Sequence, residues 1–167
     1  MNTNQQLRIF VYGTLKRGYW NHDRFCSRAI SIEPATTWGR LHHLPAGFPA
    51  LEIPDCRILA HGTTDPLTDT ETQNRIEVPE NAMVQPNGDW DLVRGELMTF
   101  DDPGFDLPPI DRLEGFNPNG RSSYKRALLA VESHDCLRTC WVYLGLDRIL
   151  RGSIRLSCGC WGGNKSG

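Results

Sequence analysis

The sequence predicts an α+β fold in which short, mostly antiparallel strands outnumber the helices. Three observations point there. Runs of β-branched, aromatic and other apolar residues recur along the chain, bounded by Gly, Pro, Asn or Asp. Helix-like spacing is confined to two brief stretches. Neither a strict βαβ repeat nor a Rossmann glycine fingerprint is present. A chain of 167 residues is most simply one domain, long enough to bury a substantial core.

Leu7–Tyr12 is apolar, β-branched or aromatic apart from Arg8, and reads as a mostly buried strand. Gly13 stops it. A buried strand that ends at a glycine leaves N–H groups without ladder partners. They either close an ordinary tight turn or, facing a cleft, cradle a carboxylate or carbonyl oxygen past the missing Cβ. Gly13 and Gly18 have the separation of a P-loop, but Tyr19 and Trp20 stand where its Lys and Ser or Thr belong. A nucleotide-phosphate site is excluded.

Residues 21–30 offer Asn21 and Asp23 as caps, with Phe25, Cys26, Ala29 and Ile30 at helical spacing, and predict a short helix. Trp38–Leu44 reads as a strand running into a turn at Pro45–Gly47, with Phe48–Leu51 after it. Residues 52–90 are rich in Thr, Asp, Asn and Pro, with Ile58–Ala60 and Ile76–Val78 as short apolar pieces. They predict a surface excursion with some local order. Val93–Phe100 alternates and predicts a strand, on which Glu96 is either a catalytic carboxylate or a polar residue on one face.

After a turn at Asp101–Gly104, Pro108–Gly115 begins with prolines and ends in glycine. That predicts a two-turn helix with Glu114 in its last turn. Asn117–Ser123 is a loop. Tyr124–Val131 and Leu137–Leu144 predict a hairpin around Glu132–Asp135, and the tail from Arg148 adds a last short segment with Trp161 near its end.

Charge and composition narrow the function. A formal charge of −2 with no basic run argues against nucleic acid or an anionic membrane as the main partner. No apolar run approaches the roughly 18 residues that span a bilayer. Met1–Gln6 has neither the positive charge nor the apolar stretch of a signal peptide, so a cytoplasmic location is expected. Cys136 and Cys140 bracket a predicted strand, whose length of about 13 Å is too great for a disulfide or a shared metal. Cys158 and Cys160 lack the two-to-four spacing of common zinc sites. Free thiols and no metal site are expected. Nothing in the sequence specifies an oligomeric state.

Val11–Gly18 (VYGTLKRG) resembles the signature loop of the gamma-glutamylcyclotransferase-like proteins, especially the branch containing gamma-glutamylamine cyclotransferase. The second half of the pattern follows about a hundred residues on: Leu113–Gly115 (LEG), Tyr124, Arg126 and the strand Trp141–Leu144 (WVYL). Order and spacing match from roughly Arg8 to Leu144, with departures at residues 52–90 and in the cysteine-bearing tail. The resemblance implies a small, bent, mostly antiparallel β-barrel with short flanking helices and a pocket at one barrel mouth. Phe48–Leu51 resembles the turn and strand that help wall it.

The activity it implies is an internal aminolysis. The α-amino group of a gamma-glutamyl compound attacks its own γ-carbonyl, giving 5-oxoproline and a free amine or amino acid. Both reacting centres sit in one small-molecule substrate, so no cofactor is expected. Glu114 matches the family's acid/base glutamate, and Tyr12, Gly13, Thr14 and Leu15 match its substrate-binding loop. Tyr124 matches a hydrogen-bonding tyrosine at the pocket edge or, read from its strand alone, a core aromatic. Arg126 either orients a carboxylate or, as we favour, flanks the strand structurally; Lys16 and Arg17 read as solvated charge.

The residues around Glu114 add a physical argument. The helix C-terminus, the apolar Ile110, Leu113 and Phe116, and like-charged Asp111 three residues back all disfavour its ionisation. The plain alternative is a surface glutamate at a helix end. Two rival functions stand beside the enzyme: a non-catalytic binding or regulatory module on the same barrel, and a thiol- or metal-dependent protein.

Overall fold

A computed structural model describes residues 5–163. Residues 1–4, part of the stretch read for a signal peptide, lie outside the described residues. Eight strands run β1 Leu7–Val11, β2 Ser31–His43, β3 Pro49–Glu52, β4 Ala60–His61, β5 Asp91–Phe100, β6 Tyr124–Ser133, β7 Cys136–Gly145 and β8 Ile154–Arg155. Among the described residues four α-helices lie between them: α1 Trp20–Phe25, α2 Pro66–Arg75, α3 Pro103–Glu114 and α4 Asp147–Leu150.

The pairings β1–β5–β2–β3–β7 return to β1 and close a five-stranded ring. Most are antiparallel, but β7 lies parallel to both β1 and β3, so the barrel is mixed. β6 extends the sheet from β7, and β4 adds to β6. The β6–β7 hairpin turns through His134 and Asp135, both at positive φ, as a two-residue hairpin of right-handed twist requires. Phe10, Leu41, Leu51, Val93, Leu97, Leu129 and Val142 fill one core cluster. A second, around Ile9, Met98, Phe100, Leu107, Ile110 and Trp141, seats α3. Among the described residues no helix is long and apolar enough to cross a membrane.

The helices depart from the sequence reading. The first covers six residues, not ten, and neither predicted cap caps it: its N-cap is Tyr19, with no side-chain bond. Asn21 is instead buried. The helix expected at 108–115 begins at Pro103, because Asp102 accepts a hydrogen bond from the Phe105 N–H and Pro103 takes the first turn. Pro108 and Pro109 therefore sit inside the helix. It stops as predicted at Gly115 (φ 65°), and the Phe116 N–H bonds back to the Asp111 carbonyl.

The 52–90 segment holds more than a surface excursion. Asp65 caps α2 through the N–H groups of Leu67 and Thr68. This helix buries Asp69, Thr70 and Gln73 rather than an apolar stripe. Gln73 accepts from the Arg8 N–H at 2.8 Å and its carbonyl from Thr139 Oγ1 at 3.0 Å, tying α2 to β1 and β7. The tail also folds back. β8 pairs with β2, and Trp161 is buried against Tyr19 at 5.3 Å between ring centroids.

Candidate active site

β1 carries Phe10 and Val11 into the barrel wall and delivers Tyr12 at its end. The Tyr12 hydroxyl donates to the Tyr143 carbonyl at 2.6 Å and accepts from the Leu51 N–H at 3.2 Å. With both partners taken from the backbone, Tyr12 has its ring left for the site. The chain then turns, Lys16 N–H to the Gly13 carbonyl at 3.1 Å. Within that turn the N–H groups of Gly13, Thr14 and Leu15 have no partner among the described residues. Gly13 is not at positive φ. A Cβ there would lie 2.6 Å from Pro49 Cγ, so its glycine serves the approach of the Pro49 wall rather than an unusual backbone angle.

Across from the turn stands the end of α3. Phe10, Tyr12–Leu15, Leu113, Glu114, Tyr124 and Tyr143 share one cavity of about 270 Å³ with Trp20, Asn21, Phe48 and Pro49. The predicted residues Glu114, Tyr12, Gly13, Thr14, Leu15 and Tyr124 thus converge. Tyr124 donates its hydroxyl to the Pro49 carbonyl at 2.9 Å, which holds the wall in place. Glu96 and Arg126 do not line this cavity. Glu96 accepts from the Arg17 N–H at 2.7 Å and from its guanidinium at 3.3 Å.

Glu114 makes no hydrogen bond or ion pair among the described residues. Burial, and then the charge of Asp111, push its carboxyl up to about 7. Asp111 lies one helical turn back and is anchored by the Arg126 guanidinium at 2.8 Å and the Tyr143 hydroxyl at 2.6 Å. Those bonds fix the rotation of α3 and so keep Glu114 on the cavity. Arg126 itself is fully buried. It also binds Asp69 at 2.8 Å and the Thr63 carbonyl at 2.9 Å, with Phe116 and Trp141 against its faces. Its role in this structure is structural.

Asn21 and the side chain of Tyr143 escaped the sequence reading. Asn21 donates to Thr14 Oγ1 at 2.9 Å, bracing the turn from α1. A lone amide at a helix start reads as a cap, and no local pattern distinguishes the two. A larger cavity of about 520 Å³ lies elsewhere, between residues 53–59, 79–90 and β6. Its Arg57 and Trp38 are spent on the carbonyls of residues 81–84, and it contains none of the convergent groups. The six cysteines are free, and none lines the Glu114 cavity. Among the described residues no three His, Cys, Asp or Glu side chains gather to hold a cation.

Solved structures share this fold. YkqA from Bacillus subtilis matches with a TM-score of 0.55 at 19% identity, over 93% of this chain and 39% of that one. The chain thus spans well under half the length of YkqA. A protein from Arabidopsis thaliana matches with a TM-score of 0.51 at 16% identity, over 88% and 73%. A mouse AIG2-like protein is 20% identical over 88% and 84%, with a TM-score of 0.44. No curated protein matches in sequence. The profile of the family described as gamma-glutamyl cyclotransferase, AIG2-like, matches residues 9–81 and 74–163. The 52–90 segment and the tail to residue 163, which we expected to depart from the family pattern, therefore fall inside the match. The chain belongs to the gamma-glutamyl cyclotransferase, AIG2-like family.

Proposed function

We propose that the protein is an enzyme that cyclises gamma-glutamyl amines or amino acids to 5-oxoproline, releasing the amine. One observation carries this reading: among the described residues, a carboxylate without a hydrogen-bond partner shares a cavity with three consecutive backbone N–H groups that have none either. In the reaction Glu114 takes a proton from the substrate α-ammonium. The freed nitrogen attacks the γ-carbonyl carbon and forms the ring C–N bond. The loop N–H groups hold the α-carboxylate and the developing oxyanion, in a site that folds the glutamyl chain toward closure. The ring nitrogen sheds its second proton to water, the bond to the leaving nitrogen breaks with its electron pair going to that nitrogen, and Glu114 returns its proton there to release the neutral amine. No electrons are exchanged with any other species.

A carboxyl near 7 suits a group that must both accept and return a proton at neutral pH. A binding module would have no use for it, which weighs against the non-catalytic alternative. The test is product identity. A gamma-glutamylamine should give 5-oxoproline, and its N-acetyl counterpart, whose nucleophile is blocked, should give nothing. Free glutamate as the product, or turnover of the acetylated compound, would overturn the reading.

A further inference from the structure

The mouth of the Glu114 cavity is apolar. Trp20 from α1, Phe48 from the turn before β3 and Leu113 from the last turn of α3 all line it, yet remain 62%, 49% and 38% exposed. Three large side chains from three separate elements meet water around one opening. Among the described residues no Lys, Arg or His lines the cavity, and Glu114 is the one carboxylate that does. Three basic side chains close in sequence or space are engaged elsewhere: Lys16 with the Trp161 carbonyl at 3.0 Å, Arg17 with Glu96, and Arg126 in its buried cluster.

The glutamyl half of the substrate uses the loop and Glu114, so the leaving half must face this mouth. A leaving amino acid carries its carboxylate one carbon from the scissile nitrogen. In this cavity that charge would lose hydration beside Glu114 with no cation among the lining residues to meet it. A distal zwitterion, such as the α-ammonium and α-carboxylate of a lysine linked through its ε-nitrogen, would meet only apolar rim atoms. An alkyl or aryl group instead covers Trp20, Phe48 and Leu113 and releases the water over them. We propose that the leaving half is an apolar, preferably aromatic amine without a carboxylate. This inference rests on the cyclotransferase reading. It narrows the substrate class to gamma-glutamyl derivatives of arylalkyl and alkyl amines.

The experiment measures 5-oxoproline release from gamma-glutamylphenethylamine, gamma-glutamylethylamine, gamma-glutamylphenylalanine and gamma-glutamyl-ε-lysine. The phenethyl amide should exceed the phenylalanine and lysine compounds in kcat/KM by on the order of tenfold to a hundredfold. Phe48→Ser should shrink the phenethyl-to-ethyl ratio, mainly through KM, and Trp20→Ala should do the same independently. If the phenylalanine or lysine compound is turned over as well as the phenethyl amide, the inference falls while the cyclotransferase reading stands. A phenethyl-to-ethyl ratio that neither rim variant changes also overturns it. Absence of 5-oxoproline from all four compounds takes the cyclotransferase reading down with it.

Discussion

Helix α3 carries two carboxylates one turn apart, and their surroundings differ in one respect. Both are pushed up by burial. Asp111 has the Arg126 guanidinium and the Tyr143 hydroxyl pulling against that push, inside a cluster closed by Asp69 and Thr63. Glu114 has nothing to pull against it. The Asp111 region is therefore a strut, with its charge matched and its donors spent. The Glu114 region is a candidate reactive site whose carboxyl has no partner among the described residues and lines a cavity. Partnering, rather than burial or helix position, separates the two. The strut also sets the angle at which the reactive group faces its cavity.

The sharpest way to break this comparison is Glu114→Gln. It keeps size and hydrogen bonding while removing the proton carrier. Turnover should fall by about 10²–10⁴-fold, with the melting temperature undiminished. Wild-type kcat/KM should climb with pH through about 7, as the carboxylate of the free protein becomes able to accept a proton. Activity within a few-fold of wild type would remove Glu114 from the mechanism and return Glu96 for testing.

Arg126→Met probes the other side. It leaves the carboxylates of Asp69 and Asp111 buried without their cation, at a cost of about 3–5 kcal/mol in unfolding free energy. Chemical denaturation measures it directly. A variant that unfolds at the wild-type midpoint would show that the cluster bears no structural weight.

The smallest effect is a linkage. The folded value for Glu114 is raised from 4.5 to about 7, so its neutral form is favoured in the folded state. Its contribution to stability is intact below about 4.5, drains as pH rises toward about 7 and is constant above that. Relative to Glu114→Gln, the wild type should lose on the order of 1–3 kcal/mol between pH 5 and pH 8, a range lowered for partial solvent access. Parallel curves for the two proteins across that range would mean that Glu114 is not desolvated when folded.

What the sequence makes legible follows from how each element is built. β1, β5, β6 and β7 bury apolar, β-branched residues and announce themselves, and Gly115 ends α3 by a conformation that favours glycine. α2 is invisible to a search for apolar spacing because the side chains it buries are Asp69, Thr70 and Gln73. Its cap at Asp65–Pro66 was the available signal. Pro108 and Pro109 drew the start of α3 too far along the chain, since prolines more often open a helix than sit inside one. Among the residues that line the candidate site, Glu114 and the loop are legible in motif and spacing. Asn21 was not, because its partner Thr14 is a tertiary neighbour rather than a turn of its own helix.

The parallel pairing of Ile9 with Trp141 has a kinetic side. β1 is the first strand among the described residues, yet its neighbours in the barrel are β5 and β7. During synthesis it leaves the ribosome long before either partner exists, and its apolar face must wait. Contacts so distant in sequence are closed late and at high entropic cost. Pulsed hydrogen exchange during refolding should show the amides of Leu7–Val11 gaining protection after those of the β6–β7 hairpin; protection ahead of the hairpin would refute this order. Because Gly13–Leu15 hang from the end of β1, the turn with the open N–H groups takes shape with the last closure of the ring. A partly folded chain would then carry Glu114 on a formed helix with nothing yet for it to act upon.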